Sequence, residues 1–255
     1  MKSPYGVGVR RALGALVVLV TTVIVAPLTQ AQNLIPPSES EGSVPDFAGT
    51  GLSGLYYDNS AGYSGTVGGS PAEASFTSSN LCFPDCQGGS FNDGNGGLVA
   101  FTNGNATNFT FFTQIEQPRT TWDSSEIDMS GYIAITTPGI YTFNINRDDN
   151  FSLTIGGVTN SYGCCGNGSF QDQFTAAGLY RISTLFQESG GGSDMSLSVT
   201  DPNGNCIIGC YDPNNNLEPN DLFYSDTDLQ GAPAVPVARS STFCTLPVGD
   251  RKSVV

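Results

Sequence analysis

Large apolar residues recur at every second position in several stretches of the chain. Because successive side chains of a β-strand point to opposite faces, a period of two predicts strands that bury one face. Turn-forming residues separate these stretches, as in 137–139 (TPG) and the glycine-rich run 189–193. The clearest alternating positions are Tyr141, Phe143 and Ile145; Phe151, Leu153 and Ile155; Tyr180, Ile182, Thr184 and Phe186; and Met195, Leu197 and Val199. The pattern predicts an all-β protein, either a sandwich or a barrel.

The alternation also divides the chain into regions. Residues 50–211 carry the strand pattern and are predicted to form one domain. Residues 32–49 are polar and lack periodicity, which is typical of a linker. Residues 212–255 are rich in Asn, Asp and Pro, and are predicted to be a tail that contributes little to the core.

The first 31 residues have the three-part pattern of a secretory signal peptide. Lys2, Arg10 and Arg11 precede an apolar run over 13–26, and the small residue Ala31 stands before the polar Gln32. We expect cleavage near Gln32, export of the protein to the outside of the cell or to its surface, and no membrane span after cleavage. An uncleaved signal anchor is the alternative.

Charge and composition exclude several classes of function. The net charge is −14, and cleavage would remove three basic residues and no acidic one, giving −17. Such an acidic chain is unsuited to nucleic acid. The chain contains no histidine, which excludes Ser-His-Asp and Cys-His catalysis and histidine-containing zinc sites. Oxygen-rich side chains favour a hard cation such as Ca²⁺.

The cysteines are expected to form disulfides after export, which would staple the loops. They are Cys82, Cys86, Cys164, Cys165, Cys206, Cys210 and Cys244. Adjacent cysteines pair only in a strained ring, so Cys164 and Cys165 are predicted to bond two different partners. The odd number leaves at least one thiol free or intermolecular. A zinc site is the alternative, but CxxxC and CC are not its usual spacings.

The order of short motifs resembles the PA14 domain over roughly residues 50–210. The segments that carry the resemblance are 51–57 (GLSGLYY), Trp122, 129–135 (MSGYIAI), 138–143 (PGIYTF), 147–149 (RDD), 153–157 (LTIGG), 177–182 (AGLYRI) and 195–199 (MSLSV). The resemblance implies an antiparallel β-sandwich with Gly-rich turns. That family includes parts of bacterial toxins, accessory modules of glycosidases, and calcium-dependent lectins of fungal adhesins, so the fold alone does not define the function.

The resemblance also implies a calcium site. In the lectin-type members, two consecutive aspartates joined by a cis peptide bond bind Ca²⁺ and, through it, carbohydrate. Asp148 and Asp149 match that pair. Read from the residues alone, Asp148-Asp149-Asn150 is also typical of a hairpin turn.

A second loop, residues 187–194, is expected to complete this site. Glu188 is a predicted metal ligand, although lectin-type members commonly have asparagine there, and this departure puts the sugar contact in doubt. Gly190, Gly191 and Ser193 are predicted to contribute carbonyl groups and to contact carbohydrate. Asp194 is a further candidate ligand that could equally belong to a solvated turn.

We therefore expect a secreted, non-catalytic module that binds carbohydrate or a glycoconjugate on a cell surface or extracellular matrix. The alternative is a structural or protein-interaction domain in which calcium only rigidifies the loops. A catalytic pair of carboxyl groups, as in glycosidases, is disfavoured because adjacent aspartates share one environment. Its candidate members are Asp148, Asp149, Glu126 and Glu188. If the source is eukaryotic, the N-x-S/T sequons mark surface positions. They are at Asn105, Asn108, Asn150 and Asn167.

Overall fold

The computed structural model describes residues 32–58, 71–83, 95–102, 104–113, 125–188, 193–209 and 221–230. Within these ranges, two mainly antiparallel sheets enclose one hydrophobic core, as the alternating pattern and the family resemblance predicted. The first sheet has the order β1 (Gln32–Ile35), β11 (Gly166–Phe174), β8 (Gly139–Asp148), β13 (Asp194–Thr200) and β14 (Cys206–Ile208), with β5 (Cys82–Phe83) against β13.

The second sheet forms the other layer. Its order is β10 (Val158–Tyr162), β9 (Asn150–Ile155), β12 (Gly178–Glu188), β7 (Ser125–Ile135), β3 (Leu52–Asp58), β4 (Ala74–Ser78) and β6 (Ala106–Phe111). Two short strands also join it: β2 (Ser40–Gly42) pairs with β12, and β15 (Phe223–Tyr224) pairs with β7.

The alternating apolar residues form the core between the sheets. Tyr141, Phe143 and Ile145 of β8 are buried, and so are Phe151 and Leu153 of β9. Each such side chain contributes about 1.5–3 kcal/mol when it is fully removed from water. Because β8 and β9 belong to different sheets, the chain crosses from one layer to the other between residues 148 and 150.

The helical segments are short. A 3₁₀ turn covers Pro37–Glu39, and α1 covers Asn95–Phe101. In the part of the chain that the structure describes, no helix has the length and apolar character needed to cross a membrane.

The prediction of a linker over residues 32–49 was wrong for residues 32–35 and 40–42, which form strands. β1 pairs in parallel with β11, from Gln32 opposite Gln171 to Ile35 opposite Phe174, and Ile35 is fully buried. Asn33 donates a hydrogen bond from Nδ2 to Asp172 Oδ1 at 3.0 Å. The strand has four residues and buries one apolar side chain, so it is too short to show a period of two.

The prediction that the tail contributes little to the core was wrong for residues 221–230. Leu222, Phe223 and Tyr224 are buried in the core cluster, where they cover β7. The carboxylate of Asp228 accepts hydrogen bonds from the backbone N–H and the hydroxyl of Thr50, at 3.1 and 2.7 Å. Residues 231–255, which include Cys244, lie outside the described residues.

Candidate calcium and carbohydrate site

The aspartate pair lies where the chain passes between the two sheets. Asp148 is the last residue of β8, and Asp149 stands immediately before β9. The peptide bond between them is cis, which is the geometry that the family resemblance implies. Asp148 is half-buried, whereas only 8% of Asp149 is exposed. Two carboxyl groups are thus held side by side at one end of the sandwich.

The loop between β10 and β11 brings two sulfur atoms to this pair. A carboxylate oxygen of each aspartate and the sulfurs of Cys164 and Cys165 all lie within 4.8 Å of one another. Cys165 Sγ lies 2.7 Å from Asp148 Oδ1 and 3.5 Å from Asp149 Oδ1. These four residues are called the Asp-Cys cluster below.

The prediction that Cys164 and Cys165 bond two different partners was wrong, because a disulfide joins them to each other. The Cys164–Cys165 peptide bond is cis, and the two Cα atoms are 3.2 Å apart. A sulfur in a disulfide supplies no thiolate, so the anionic donors of the cluster are the two carboxylates.

Two other cysteines in the described residues are disulfide-bonded. They are Cys82 in β5 and Cys206 in β14, which both lie in the first sheet beside β13. Cys86 and Cys210 lie outside the described residues.

Arg147 holds the cysteine loop in place. Its side chain is buried and donates from Nε to the carbonyl oxygen of Gly163 at 3.0 Å, and from a terminal guanidinium nitrogen to the carbonyl of Gly166. The guanidinium carbon also lies 5.1 Å from the centre of the Tyr162 ring. No role was predicted for Arg147 from the sequence. The sequence signal that could have identified Arg147 is its position: it is a charged residue at a place where the alternation of β8 predicts an inward-facing side chain.

The second predicted loop begins and ends beside the aspartate pair. Gln187 of β12 is opposite Asn150 of β9, so the next step of this antiparallel register brings Glu188 alongside Asp149. On the other side, Asp194 of β13 is opposite Asp148, and it accepts a hydrogen bond from Asn146 Nδ2 at 2.5 Å. The two sheets thus place both ends of the 187–194 loop at the predicted site.

The predicted ligands within this loop differ in how the structure places them. Glu188 is fully buried at the end of β12 and does not belong to the Asp-Cys cluster, so its role as a ligand stays a prediction. Ser193 is fully buried as well, and its Oγ has no hydrogen-bond partner among the described residues. Gly190 and Gly191 lie outside the described residues, as does Trp122.

The sequons differ in accessibility. The side chain of Asn105 is buried and donates from Nδ2 to the carbonyl oxygens of Cys82 and Thr102, at 2.7 and 3.1 Å. The expectation of a surface position was therefore wrong for Asn105. Asn108 and Asn167 are exposed, and Asn150 is half-buried.

Fold and site together define the class of protein: a β-sandwich domain with an acidic pair at the crossing between its two layers. Residues 87–212 match the family model of the PA14 domain, which identifies a PA14 domain in this part of the chain. A comparison with curated proteins finds no match.

Several solved structures are similar to this chain at low sequence identity. The PA14 domain of the MpAFP antifreeze protein has a TM-score of 0.51 and 20% identity, with 74% of this chain and 98% of that chain covered. The PA14 sugar-binding domain from an RTX adhesin has a TM-score of 0.48 and 19% identity, covering 63% and 95%. The Epithelial Adhesin 6 A domain from Candida glabrata, in complex with Galβ1-3GlcNAc, has a TM-score of 0.42 and 15% identity, covering 79% and 97%. These likenesses concern the fold alone.

Proposed function

We propose that this chain is a secreted, non-catalytic module that binds carbohydrate through a Ca²⁺ ion held by Asp148 and Asp149. The observation that carries the proposal is the placement of two carboxylates side by side, within 4.8 Å, at the crossing between the sheets. Two adjacent carboxylates repel each other, and a divalent cation between them removes that repulsion.

The donor set fits calcium better than a softer metal. The sulfurs of Cys164 and Cys165 are joined in a disulfide, which leaves oxygen as the donor atom of the cluster. Calcium takes six to eight oxygen ligands, more than two carboxylates supply. The 187–194 loop is the expected source of the others, through the carbonyl groups of Gly190 and Gly191 and the carboxylate of Glu188. The buried Ser193 Oγ, which lacks a partner among the described residues, is a polar atom at the end of that loop.

A bound calcium ion would offer coordination positions to the hydroxyl groups of a sugar. The Cys164–Cys165 disulfide is exposed beside Asp148, and it provides a polarizable, weakly polar surface next to the carboxylates. We propose that this surface contacts the non-polar face of the same sugar. The acidic chain itself favours neutral over anionic glycans, because its net charge is −14.

The test is glycan binding with and without chelator. Wild-type protein is screened on a glycan array in millimolar Ca²⁺ and then in EDTA, together with Asp149→Asn. Asp201→Asn is the matched control, because Asp201 follows Thr200 at the far end of β13 from Asp194. We expect chelator and Asp149→Asn to abolish binding and Asp201→Asn to preserve it. Calcium binding without any bound glycan would instead support the structural alternative, in which the ion only rigidifies the loops.

Export is part of the proposal. We infer that residues 1–31 are removed and that the mature chain starts at or close to Gln32, the first residue of β1. Amino-terminal sequencing of protein recovered from the medium or the cell surface checks this. An intact Met1 in exported protein would contradict it.

A further inference from the structure

The outer face of the second sheet carries a continuous row of hydroxyl side chains. The cross-strand register places them opposite one another on seven neighbouring strands, in the order Thr107, Thr77, Ser53, Ser130, Ser183, Thr154 and Thr159. Each is exposed or half-buried. Neighbouring strands lie about 4.8 Å apart, so the row extends over roughly 29 Å.

Part of this row lines a groove of about 330 Å³. Its polar lining comes from Ser53, Ser75, Thr77, Asn108, Asp128 and Ser130, on four adjacent strands. The volume lies at the lower end of the range of ligand pockets. The groove shares no residue with the Asp-Cys cluster.

A bulge in β6 shapes one wall of the groove. Ser75 is opposite Thr110 and Thr77 is opposite Thr107, so two residues of β6 face the single residue between them on β4. Asn108 occupies this bulge with φ of 56°, in the left-handed region. A bulge bends its strand and redirects a side chain, which accounts for an exposed asparagine at the groove.

The chemistry of the lining selects a neutral, hydroxylated ligand. Serine and threonine hydroxyls donate and accept hydrogen bonds, as the hydroxyls of a sugar do. Asp128 adds a half-buried carboxylate, and burial together with the nearby Glu126 raises its pKa. The lining contains no lysine or arginine, which disfavours phosphate or sulfate groups.

The same lining is unlike a protein-docking surface. The cores of protein interfaces are enriched in aromatic residues, methionine and arginine, and depleted in serine and aspartate. Here the outward-facing residue opposite Asp128 on β3 is Leu55, which offers a limited apolar patch beside the hydroxyls. Leu55 and Phe76 are the two large apolar side chains of the lining, and their place among several hydroxyls suits the mixed polar and non-polar faces of a sugar ring.

We propose that this groove is a second carbohydrate site, which binds a neutral oligosaccharide directly through side chains and without calcium. Ser53, Thr77 and Ser130 supply hydroxyls from the row, and Asp128 accepts hydrogen bonds from sugar hydroxyls. The proposed site is confined to the groove, although the row itself continues onto β12, β9 and β10.

The test uses the full chain and a printed array of neutral hexose oligosaccharides in EDTA, a condition that removes the calcium-dependent site. We expect binding to persist in EDTA and in Asp149→Asn. Thr77→Val removes a groove hydroxyl with little change of shape, and Asp128→Asn removes the carboxylate. Each is expected to weaken binding about tenfold, the effect of losing one good hydrogen bond.

Thr159→Val is the matched control, because Thr159 belongs to the same row but lies outside the groove. It is expected to bind like wild type. Hydrogen exchange gives a second readout, with protection by the bound oligosaccharide expected at residues 53–55, 75–77 and 128–130. Absence of any binding in EDTA, an equal effect of Thr159→Val, or protection confined to residues 148–149 would overturn the second site. None of these results would affect the calcium site.

Discussion

The Nε of Arg147 donates a hydrogen bond to the carbonyl oxygen of Gly163, 3.0 Å away, and so ties the last inward-facing residue of β8 to the cysteine loop. The second contact, to the carbonyl of Gly166, lies beyond the two cysteines. The loop that carries Cys164 and Cys165 is thus held at both ends by one side chain. Because Asp148 directly follows Arg147, the same clamp fixes the position of the loop relative to the carboxylates.

We predict that Arg147→Lys destabilises the fold and weakens calcium binding. Lysine keeps the charge but presents a single ammonium group, which cannot donate along the two directions of the guanidinium fork. A hydrogen bond that involves a charged group contributes about 1.5–3 kcal/mol, and the lysine loses at least one of the two. Denaturant unfolding in EDTA measures the stability, and calcium titration of the folded protein measures the affinity. We expect both effects because Arg147 is a positioning residue for the calcium site. If the Arg147→Lys variant is less stable but binds calcium as tightly as the wild type, the role of Arg147 is confined to stability.

Asp172 makes the stability of the fold depend on pH. The side chain is fully buried in β11, where Asn33 Nδ2 donates to one carboxyl oxygen, and its surroundings include Asn160 and Tyr162. Burial raises the pKa of Asp172 to about 6, and the hydrogen bond from Asn33 offsets part of that rise. The folded state therefore holds this proton more tightly than the unfolded chain, whose aspartates have a pKa of about 3.9.

The stabilising contribution of Asp172 is complete below pH 4 and is lost as pH rises through about 6. The loss is on the order of 2–3 kcal/mol, from the separation of the two pKa values. Thermal melts between pH 4.5 and 7.5 in EDTA should show wild type losing stability over this range. Asp172→Asn, which stays neutral, should show a flatter profile, and parallel profiles for the two proteins would contradict the assignment.

Alternation along the chain predicted most of the fold because long strands repeat their signal. β8 and β12 each bury a large side chain at nearly every second position, and that pattern needs no tertiary information. The signal fails for β1 and β15, which have four and two residues. Their burial depends on the strands with which they pair, β11 and β7, which are distant in the sequence, and local periodicity does not encode such pairing.

The candidate site was predictable only in part for the same reason. Asp148 and Asp149 are adjacent in sequence, so the family motif could identify them. The disulfide between Cys164 and Cys165 depends on a local backbone geometry that spacing arguments do not encode. The hydroxyl row is invisible in sequence, because its members come from seven strands and only the register aligns them.

We predict that the amino-terminal strand is a structural part of the domain. Ile35 is fully buried, whereas Leu34, the preceding residue, is 61% exposed. Ile35→Ala should therefore destabilise the protein by about 2–5 kcal/mol, since it removes buried methyl groups and leaves a cavity. Leu34→Ala is the matched control and should change stability by less than about 0.5 kcal/mol. Denaturant unfolding of both variants measures the difference, and equally small effects would restore the reading of residues 32–49 as a linker.

We predict that calcium binding raises the thermal stability of the protein. A ligand that binds only the folded state stabilises it according to its concentration relative to the dissociation constant. Extracellular calcium modules bind with constants of about 10⁻⁴ to 10⁻³ M, and a tenfold excess over that constant contributes about 1.4 kcal/mol. Wild-type protein should therefore melt at a higher temperature in millimolar Ca²⁺ than in EDTA, and Asp149→Ala should melt at the same temperature in both.

Asp201→Asn controls for general effects of removing a carboxylate, and it should keep the calcium-dependent rise. Because Asp201 accepts hydrogen bonds from the backbone N–H groups of Asn203 and Asn205, its loss lowers stability equally in both conditions. Equal melting temperatures of the wild type with and without calcium would leave the aspartate pair as an ordinary turn between the sheets.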